Sequence, residues 1–523
     1  MKPQGGALGR KSVLEIVGYG AWNDGTLIDN TAFEKKGMFF KGGIPVTPQS
    51  IEDRIGVRTR VAAPPNQWIG RIALQNLLEG AKIEPARIKL FIGATNVGDD
   101  KKDPGPLIQH PYHMVKDACP QALAFDLYAG CPGFNVAVEL VFMLSLNGFL
   151  KSGDISVIIG AENIHRARAF KPGDTANIIF GDDALATALQ TQASLRPSGS
   201  YSSSEPITQP CSDDFVARIA EMIYRLNGRS KIDGILVDNQ LGSLLYRVPA
   251  TAARVQNALV EKMYPEKAGA GHFRQFKEAL SFYDRDVNAF AFDLMALDQD
   301  PLFVESIARA YVESGRYRTV ASAYLDRQQG IRVKIHQGAG EPYDRPESGI
   351  IDTRTRTHGC FADYIQAVPS DGDVFGEMDG KGVFLYATRG AGKHLTELLH
   401  RNGLTVADIE LLIEHQANFA MIPLTLRNLI DPANPDVDRA VRDFIADKMI
   451  TNIHVRGNCS VVCMQRLPYD LRRDALKEDT IQGYGVNRNL EGLKQATLIV
   501  NDSVGAGMTR SSFIQRVQRG AAS

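Results

Sequence analysis

Residues 124–134 read AFDLYAGCPGF. A short apolar run, Leu123 to Leu127, stops at Gly130-Cys131-Pro132-Gly133. An apolar stretch from Phe134 to Phe149 follows, long enough for a buried helix. Pro132 suits the first helical position, where its missing N–H costs nothing. Cys131 is therefore expected on a strand-to-helix turn, at the positive end of a helix dipole. There a thiolate is stabilised and the sulfur becomes a usable nucleophile. The turn alone does not separate that role from a small cysteine packed as a hydrophobe.

Outward from this turn, apolar strands alternate with helices. Val13 to Gly18 reads as a first strand, Trp68 to Gly80 as a helix stopped by glycine, and Ile88 to Thr95 as a buried strand. Between them Ile51 to Arg60, IEDRIGVRTR, mixes charges with a glycine and is expected at the surface. After the turn come a buried strand, Ile155 to Ala161, and Ile178 to Leu189, where Gly181-Asp182-Asp183 reads as a tight turn between apolar strands. Thr191 to Pro206 turns to Ser, Thr, Pro and Gln, a linker or exposed loop. Further on, Lys393 to Asn402 is a helix, and the strand Ile409 to Ile413 runs into Glu414-His415-Gln416-Ala417-Asn418. A strand-like run, Ile450 to Val455, precedes Arg456-Gly457-Asn458-Cys459-Ser460. Thr497 to Asn501 is a last strand before Val504-Gly505-Ala506-Gly507-Met508. The alternation argues for an α/β sandwich of mostly buried sheets.

Composition excludes several classes. The 523 residues are too many for one core, so two or three domains or halves are expected. With 59 basic against 60 acidic residues, bulk charge implies neither a nucleic-acid nor a membrane partner. Six cysteines in so long a chain are no disulfide framework, and Cys459 and Cys463 have no partner pair for zinc, so no metal is expected. The first residues, MKPQGGALGRKSVLEIVGYG, contain no apolar core of signal-peptide length and no run approaches a membrane span, which makes a cytoplasmic, reducing setting the default expectation.

The chain also repeats itself. WIGRIALQNLLEGAKIEPARIKLFIGAT, from Trp68, recurs as FVARIAEMIYRLNGRSKIDGILVDNQ, from Phe215. AFDLYAGCPGF is echoed by AFDLMALDQDPLF, from Ala291, and FLKSGDISVIIGA by YVESGRYRTVASA. Matching the two AFDL words sets Asp298 opposite Cys131. A third helix–strand unit runs from Lys393 through HQAN. Two catalytic halves, residues 1–195 and 346–523, with a degenerate copy of the first half at 196–345, account for these words. A helix–glycine–strand unit that merely looks alike would give part of the pattern.

Cys131, His415 and Asn458 make sense together as acyl-transfer chemistry. Cysteine takes the acyl group as a thioester, and His Nε2 with the Asn amide stabilises an oxyanion, such as the enolate left when a β-carboxy thioester loses carbon dioxide. The order Cys, HQAN, GN-x-S resembles β-ketoacyl-ACP synthase III, the initiating condensing enzyme on the thiolase fold. AGCPGF is similar to that family's nucleophile motif, IIFGDDA to its FGDGA turn, RIGVRTR to its R-x-G-[IV]-R segment and SVGAGMT to its terminal glycine loop. The resemblance implies a thiolase-like α-β-α-β-α sandwich, acylation of Cys131, decarboxylative Claisen condensation driven by His415 and Asn458, and an oxyanion hole of the Cys131 and Ala506 backbone N–H groups. It implies acyl-CoA or acyl carrier protein thioesters as substrates and no further cofactor. Family members dimerise through the first half, so a homodimer is implied, or a monomer in which the inserted copy is a pseudo-partner or caps the acyl tunnel.

There are departures. The tryptophan and arginine that usually clamp the CoA adenine fall near Ser50 and at Asp174 or Thr175. That leaves Arg54 and Arg58 to meet a phosphate or pantetheine arm, and Ala420 replaces the arginine that often follows HQAN. Transfer of the acyl group to a hydroxyl or amine without decarboxylation, with His415 as base, stays open. So does a non-catalytic subunit supporting a related synthase, although the complete Cys, His and Asn set argues against it. Among other residues, His454 reads as a packed strand residue. His110 and His113 read as loop residues, and His165, Arg166 and Arg168 as a solvated run or a phosphate contact. Gly390-Ala391-Gly392-Lys393 sits at a helix start but lacks phosphate-loop spacing.

Overall fold

The computed structural model describes residues 12–34, 36–98, 106–193, 200–241, 248–265, 276–297, 300–339, 345–430 and 434–518. The first unit consists of β1 (Leu14–Ala21), α1 (Asn66–Gly80), β2 (Ile88–Ala94), β3 (Leu123–Tyr128), α2 (Gly133–Leu146), β4 (Ile155–Glu162) and β5 (Asp183–Thr191). The second consists of β6 (Tyr201–Ser203), α3 (Phe215–Asn227), β7 (Gly234–Asn239), α4 (Thr251–Met263), β8 (Phe290–Ala296), α5 (Pro301–Glu313), β9 (Thr319–Asp326) and β10 (Gly330–Gly338). The third has β11 (Gly349–Thr357), a hairpin of β12 (Ile365–Ser370) and β13 (Asp373–Met378), α6 (Gly380–Arg401), β14 (Leu411–Glu414), α7 (Met421–Leu429), α8 (Cys463–Arg472), β15 (Leu498–Gly505) and β16 (Thr509–Arg516).

Units one and two share a single sheet in the order β1-β5-β4-β2-β3-β8-β7-β9-β10-β6, with Ile207–Gln209 also pairing on β10. The third unit forms its own sheet, β11-β16-β15-β14, extended by a parallel bridge from Leu412 to Met449. The inner strands β2, β3 and β4 pair in parallel. All eight residues of β4 are buried, as a parallel strand covered by helices on both faces must be.

All fourteen residues of α2 are buried, which leaves it no solvent face and makes it a central helix. With α8 it packs between the two sheets, in a core that takes in Leu90, Leu140, Ile413, Met464 and Phe513. α1 covers the outer face of the first unit through Ile69, Ala73 and Leu77. α3 and α4 cover the second unit, and α6 and α7 the outer face of the third. Helix, sheet, helix, sheet, helix is the five-layered thiolase arrangement.

Several local readings change. Ile51 to Arg60, expected at the surface, is partly buried: Pro48–Ile55 is a helix closed by left-handed Gly56, and Ile51, Val57 and Arg60 are buried. Ala176–Ile179 is a helical turn, so the first apolar strand expected before Gly181 is absent. Ile450 to Val455 is not a strand. Beyond the Met449 bridge it becomes a helical turn, Ile453–Arg456. Pro132 caps α2 and Gly133 begins it. The helix expected from Lys393 starts at Gly380, which puts Gly390 to Lys393 mid-helix. Asp298 lies outside the described residues.

Candidate active site

The strand-to-helix turn holds Cys131 because the backbone there has no room for larger neighbours. Gly130 has φ +71°, and a Cβ on it would lie 2.5 Å from Ala506 N. A Cβ on Gly505 would lie 2.3 Å from Cys131 N. These contacts press the Gly505-Ala506 turn against the Gly130-Cys131 turn, so the Cys131 and Ala506 amides come from two touching loops. Gly507, at φ +77°, completes the second loop in a conformation that favours glycine.

His415 follows β14, and its N–H donates to Asp502 O on β15 (2.9 Å). The ring is buried, and neither nitrogen bonds to a nitrogen or oxygen atom of the described residues. Burial alone would push its pKa down. The negative charge of the Cys131 sulfur, followed by that of Cys463, outweighs burial and raises it to about 10.

Gln416 ties the histidine word to the asparagine word. Its side-chain oxygen accepts from Thr451 Oγ1 (2.8 Å) and from the N–H groups of Asn452 (3.1 Å) and Ile453 (2.9 Å). That gathering of N–H groups is why residues 453–456 coil. Asn458 is fixed through its backbone to Ile179 O (2.9 Å), and Gly181 N donates to its carbonyl (3.1 Å). Its Oδ1 accepts from Ser460 N (2.8 Å), while no acceptor among the described residues takes its Nδ2.

A polar chain that sequence reasoning missed reaches the thiol. Ser460 Oγ donates to Cys131 Sγ (3.4 Å), and Asn96 Nδ2 donates both to Ser460 Oγ (2.7 Å) and to Glu162 Oε1 (2.6 Å). Burial holds the Glu162 carboxyl up at about 7, partly countered by the Asn96 bonds. A carboxylate ending an otherwise apolar strand was the available signal.

A cavity of about 60 Å³ opens at Cys131, lined by Val97, Phe180, Val248, Ala367, Met378 and Ala506 among others. Phe170, stacked on Phe180 with centroids 5.5 Å apart, separates it from an outer pocket of about 350 Å³ that includes Lys36, His165 and Arg168. Arg54 and Arg58 line neither. Arg58 is committed to Glu52 (2.6 Å), Asp479 (2.6 Å) and Thr480 O, and the Arg54 guanidinium lies over the Phe40 ring. His454 is buried near Asp479 (3.4 Å), away from these cavities. Cys131, His415, Asn458 and Ala506 come together; Arg54 and Arg58 do not join them.

Known proteins resemble the chain in sequence and in fold. β-Ketoacyl-[acyl-carrier-protein] synthase III of Ehrlichia canis is 28% identical over 246 residues, covering 44% of this chain and 68% of its own. The Helicobacter pylori protein of that name is 27% identical over 250 residues, covering 43% and 67%. Among solved structures, 3-oxoacyl-ACP synthase III of Pseudomonas aeruginosa superposes with a TM-score of 0.53 at 15% identity, over 97% of this chain and 99% of that one. The Aquifex aeolicus enzyme gives 0.51 at 15% identity, over 96% and 100%. No family model matches the chain.

Fold and relatives define a condensing enzyme of the thiolase fold. Within that class the chain is similar to β-ketoacyl-[acyl-carrier-protein] synthase III. No helix among the described residues is long and apolar enough to cross a membrane.

Proposed function

We propose that the chain transfers an acyl group and joins it to a second unit with decarboxylation, that Cys131 is the acyl acceptor and that His415 and Asn458 serve the decarboxylation. The observation that carries the proposal is the pairing of the Cys131 sulfur with a buried imidazole that bonds to no nitrogen or oxygen atom of the described residues. The thiolate attacks the carbonyl carbon of an acyl-CoA or acyl carrier protein thioester. A carbon–sulfur bond to Sγ forms, the bond to the pantetheine sulfur breaks, and that sulfur leaves with the proton that the His415 imidazolium gives up. Acylation removes the charge on Sγ, and with it the main influence that raises His415.

A malonyl thioester then loses carbon dioxide. Negative charge collects on its thioester oxygen, where the His415 ring and the unclaimed Asn458 Nδ2 donate. The resulting carbon nucleophile attacks the acyl-Cys131 carbonyl, whose oxygen meets the Cys131 and Ala506 N–H groups. The carbon–carbon bond forms, the carbon–Sγ bond breaks, and the thiolate returns.

The outer pocket suits the phosphate-bearing arm of the donor. Lys36, His165 and Arg168 surround it, and Phe170 marks the passage inward. The products would be β-ketoacyl thioesters for fatty-acid or specialised lipid and polyketide synthesis. Carbon dioxide release from malonyl-ACP, measured with wild type and with Asn458→Ala, tests the reading. Release by wild type and its loss in the variant are expected. Acyl transfer to a hydroxyl or amine with no release would replace it.

A further inference from the structure

The glycine loop that carries the Ala506 N–H is held on its far side by Met508. This residue has φ +50°, in the left-handed region that a side chain disfavours, and it is fully buried. Such a backbone persists only where its surroundings fix it. Met508 O accepts twice: from the His358 N–H (3.1 Å), just beyond β11, and from the Tyr386 hydroxyl on α6 (2.6 Å). The same hydroxyl lies 2.6 Å from His358 Nδ1, and His358 Nε2 lies 3.1 Å from Asp284 Oδ1. Tyr386 and His358 are both buried.

The protons on this relay have one possible order. A carbonyl oxygen has no proton to give, so the Tyr386 O–H must fill the contact with Met508 O. The hydroxyl then offers His358 only its lone pairs, and Nδ1 must donate to it. Burial alone would raise the Asp284 carboxyl. The His358 bond and the charges of His358, Arg356 and Lys393 override burial and hold it well below the usual carboxylate range. A carboxylate only accepts, so Nε2 must donate as well. All three contacts are made together only when His358 carries a proton on both nitrogens.

The neutral ring donates once. With Nε2–H kept by the Asp284 carboxylate, Nδ1 becomes an acceptor and takes the Tyr386 O–H, which leaves Met508 O with the His358 N–H alone. Burial acts most strongly against the ring's second proton, Asp284 favours it, and Arg356 on β11 and Arg510 on β16 add to burial. Tyr283, in the turn Tyr283–Val287, packs at 6.0 Å between centroids, and burial drives the pKa of His394, on α6, far down. The net direction for His358 is below the ordinary histidine value, so the complete relay belongs to the acid side of it.

We propose that Tyr386, His358 and Asp284 are positioning residues of the acyl-transfer site: the proton on His358 Nδ1 decides whether Tyr386 holds Met508 O, and with it the loop that presents the Ala506 N–H. None of the three lines the cavity at Cys131, so they act through the loop. This rests on the role proposed above for the Ala506 N–H, and the test separates the two.

Wild type and Tyr386→Phe, which keeps the ring packed on His358 (centroids 5.4 Å) and removes only the hydroxyl, are compared in two ways. Hydrogen exchange of the peptide spanning 504–510, read by mass spectrometry at pH 5 and pH 8, follows the loop without any reaction. Loss of one hydrogen bond is expected to speed exchange in the variant by about threefold to tenfold at pH 5. At pH 8, where wild type has itself lost that bond, the two proteins are expected to exchange alike. Equal exchange at pH 5 would overturn the relay, and the same difference persisting at pH 8 would overturn the part given to the His358 proton. The second comparison divides the rate of Cys131 acylation by an acyl-CoA, which uses the Ala506 N–H, by the rate of alkylation with iodoacetamide, which expels iodide and needs no oxyanion hole. Cys131→Ala corrects for other thiols. The quotient is expected to fall about tenfold in Tyr386→Phe at pH 5. A quotient equal to that of wild type would overturn the link between the relay and the oxyanion hole. If no thioester acylates wild type, the proposed function fails, and the exchange result still decides the relay.

Discussion

The Ser460 hydroxyl donates to the Cys131 sulfur at 3.4 Å while accepting from the Asn96 amide at 2.7 Å, so the nucleophile is held by a hydroxyl whose orientation is itself fixed. A hydrogen bond to a charged sulfur is stronger than a neutral one. Removing it in Ser460→Ala is expected to slow Cys131 acylation by roughly tenfold to a hundredfold, the equivalent of about 1.5–3 kcal/mol. Stopped-flow acylation with an acyl-CoA checks this, and a wild-type rate in the variant would show the contact to be incidental.

Glu162 anchors that chain at a cost that depends on pH. Its carboxyl titrates at about 7 in the fold against 4.5 ordinarily. Below about 4.5 it is neutral folded and unfolded, so it adds no penalty. As pH rises from there through 7 the unfolded state ionises first, stability falls, and above 7 the full penalty is present. Glu162→Gln, uncharged throughout, is expected to lose less thermal stability between pH 5 and pH 8 than wild type. Thermal unfolding at both values reads this directly; parallel pH dependences would contradict it.

His415→Ala and Asn458→Ala separate the two half-reactions. Each removes a donor to the enolate oxygen, which typically costs on the order of a hundredfold or more in rate. Carbon dioxide release is expected to fall by that factor in both. Asn458→Ala should still accumulate acyl-Cys131, because its amide does not touch the thiol. His415→Ala should acylate more slowly, having lost the imidazolium beside the sulfur. An Asn458 variant that cannot be acylated would move the asparagine into the first step.

Gly505→Ala tests the meeting of the two loops. The added Cβ would lie 2.3 Å from Cys131 N, closer than real contacts allow, so the loops must part. Loss of activity by at least tenfold is expected with the far-ultraviolet spectrum unchanged, since the strain falls on the last residue of β15 and the turn it meets and leaves the rest of the ladder in place. Full activity would mean that the Ala506 N–H is not required where it stands.

What the sequence shows plainly is whatever is carried by short words. AGCPGF, HQAN and GN-x-S each fix a backbone turn as well as a reactive group, so Cys131, His415 and Asn458 are readable in order. Contacts formed only on folding are not. Glu162 ends an apolar strand, and nothing local says that Asn96, on another strand end, will meet it. Val248 is one apolar residue in a unit with no reactive group of its own. The charges in IEDRIGVRTR suggest solvent, yet Arg60 is fully buried because Ile178 O and Asn30 Oδ1 satisfy its guanidinium. Ile450 to Val455 has the composition of a strand, but the Gln416 side chain draws its N–H groups into a turn.

The most direct test of the whole account is the intact mass of wild type and Cys131→Ala after incubation with a panel of acyl-CoA and acyl carrier protein thioesters. One acyl group on wild type and none on the variant is the predicted result, with short chains preferred by a cavity of about 60 Å³. An equal adduct on both proteins, or no adduct on wild type from any donor, would contradict the assignment of Cys131 as the acyl acceptor.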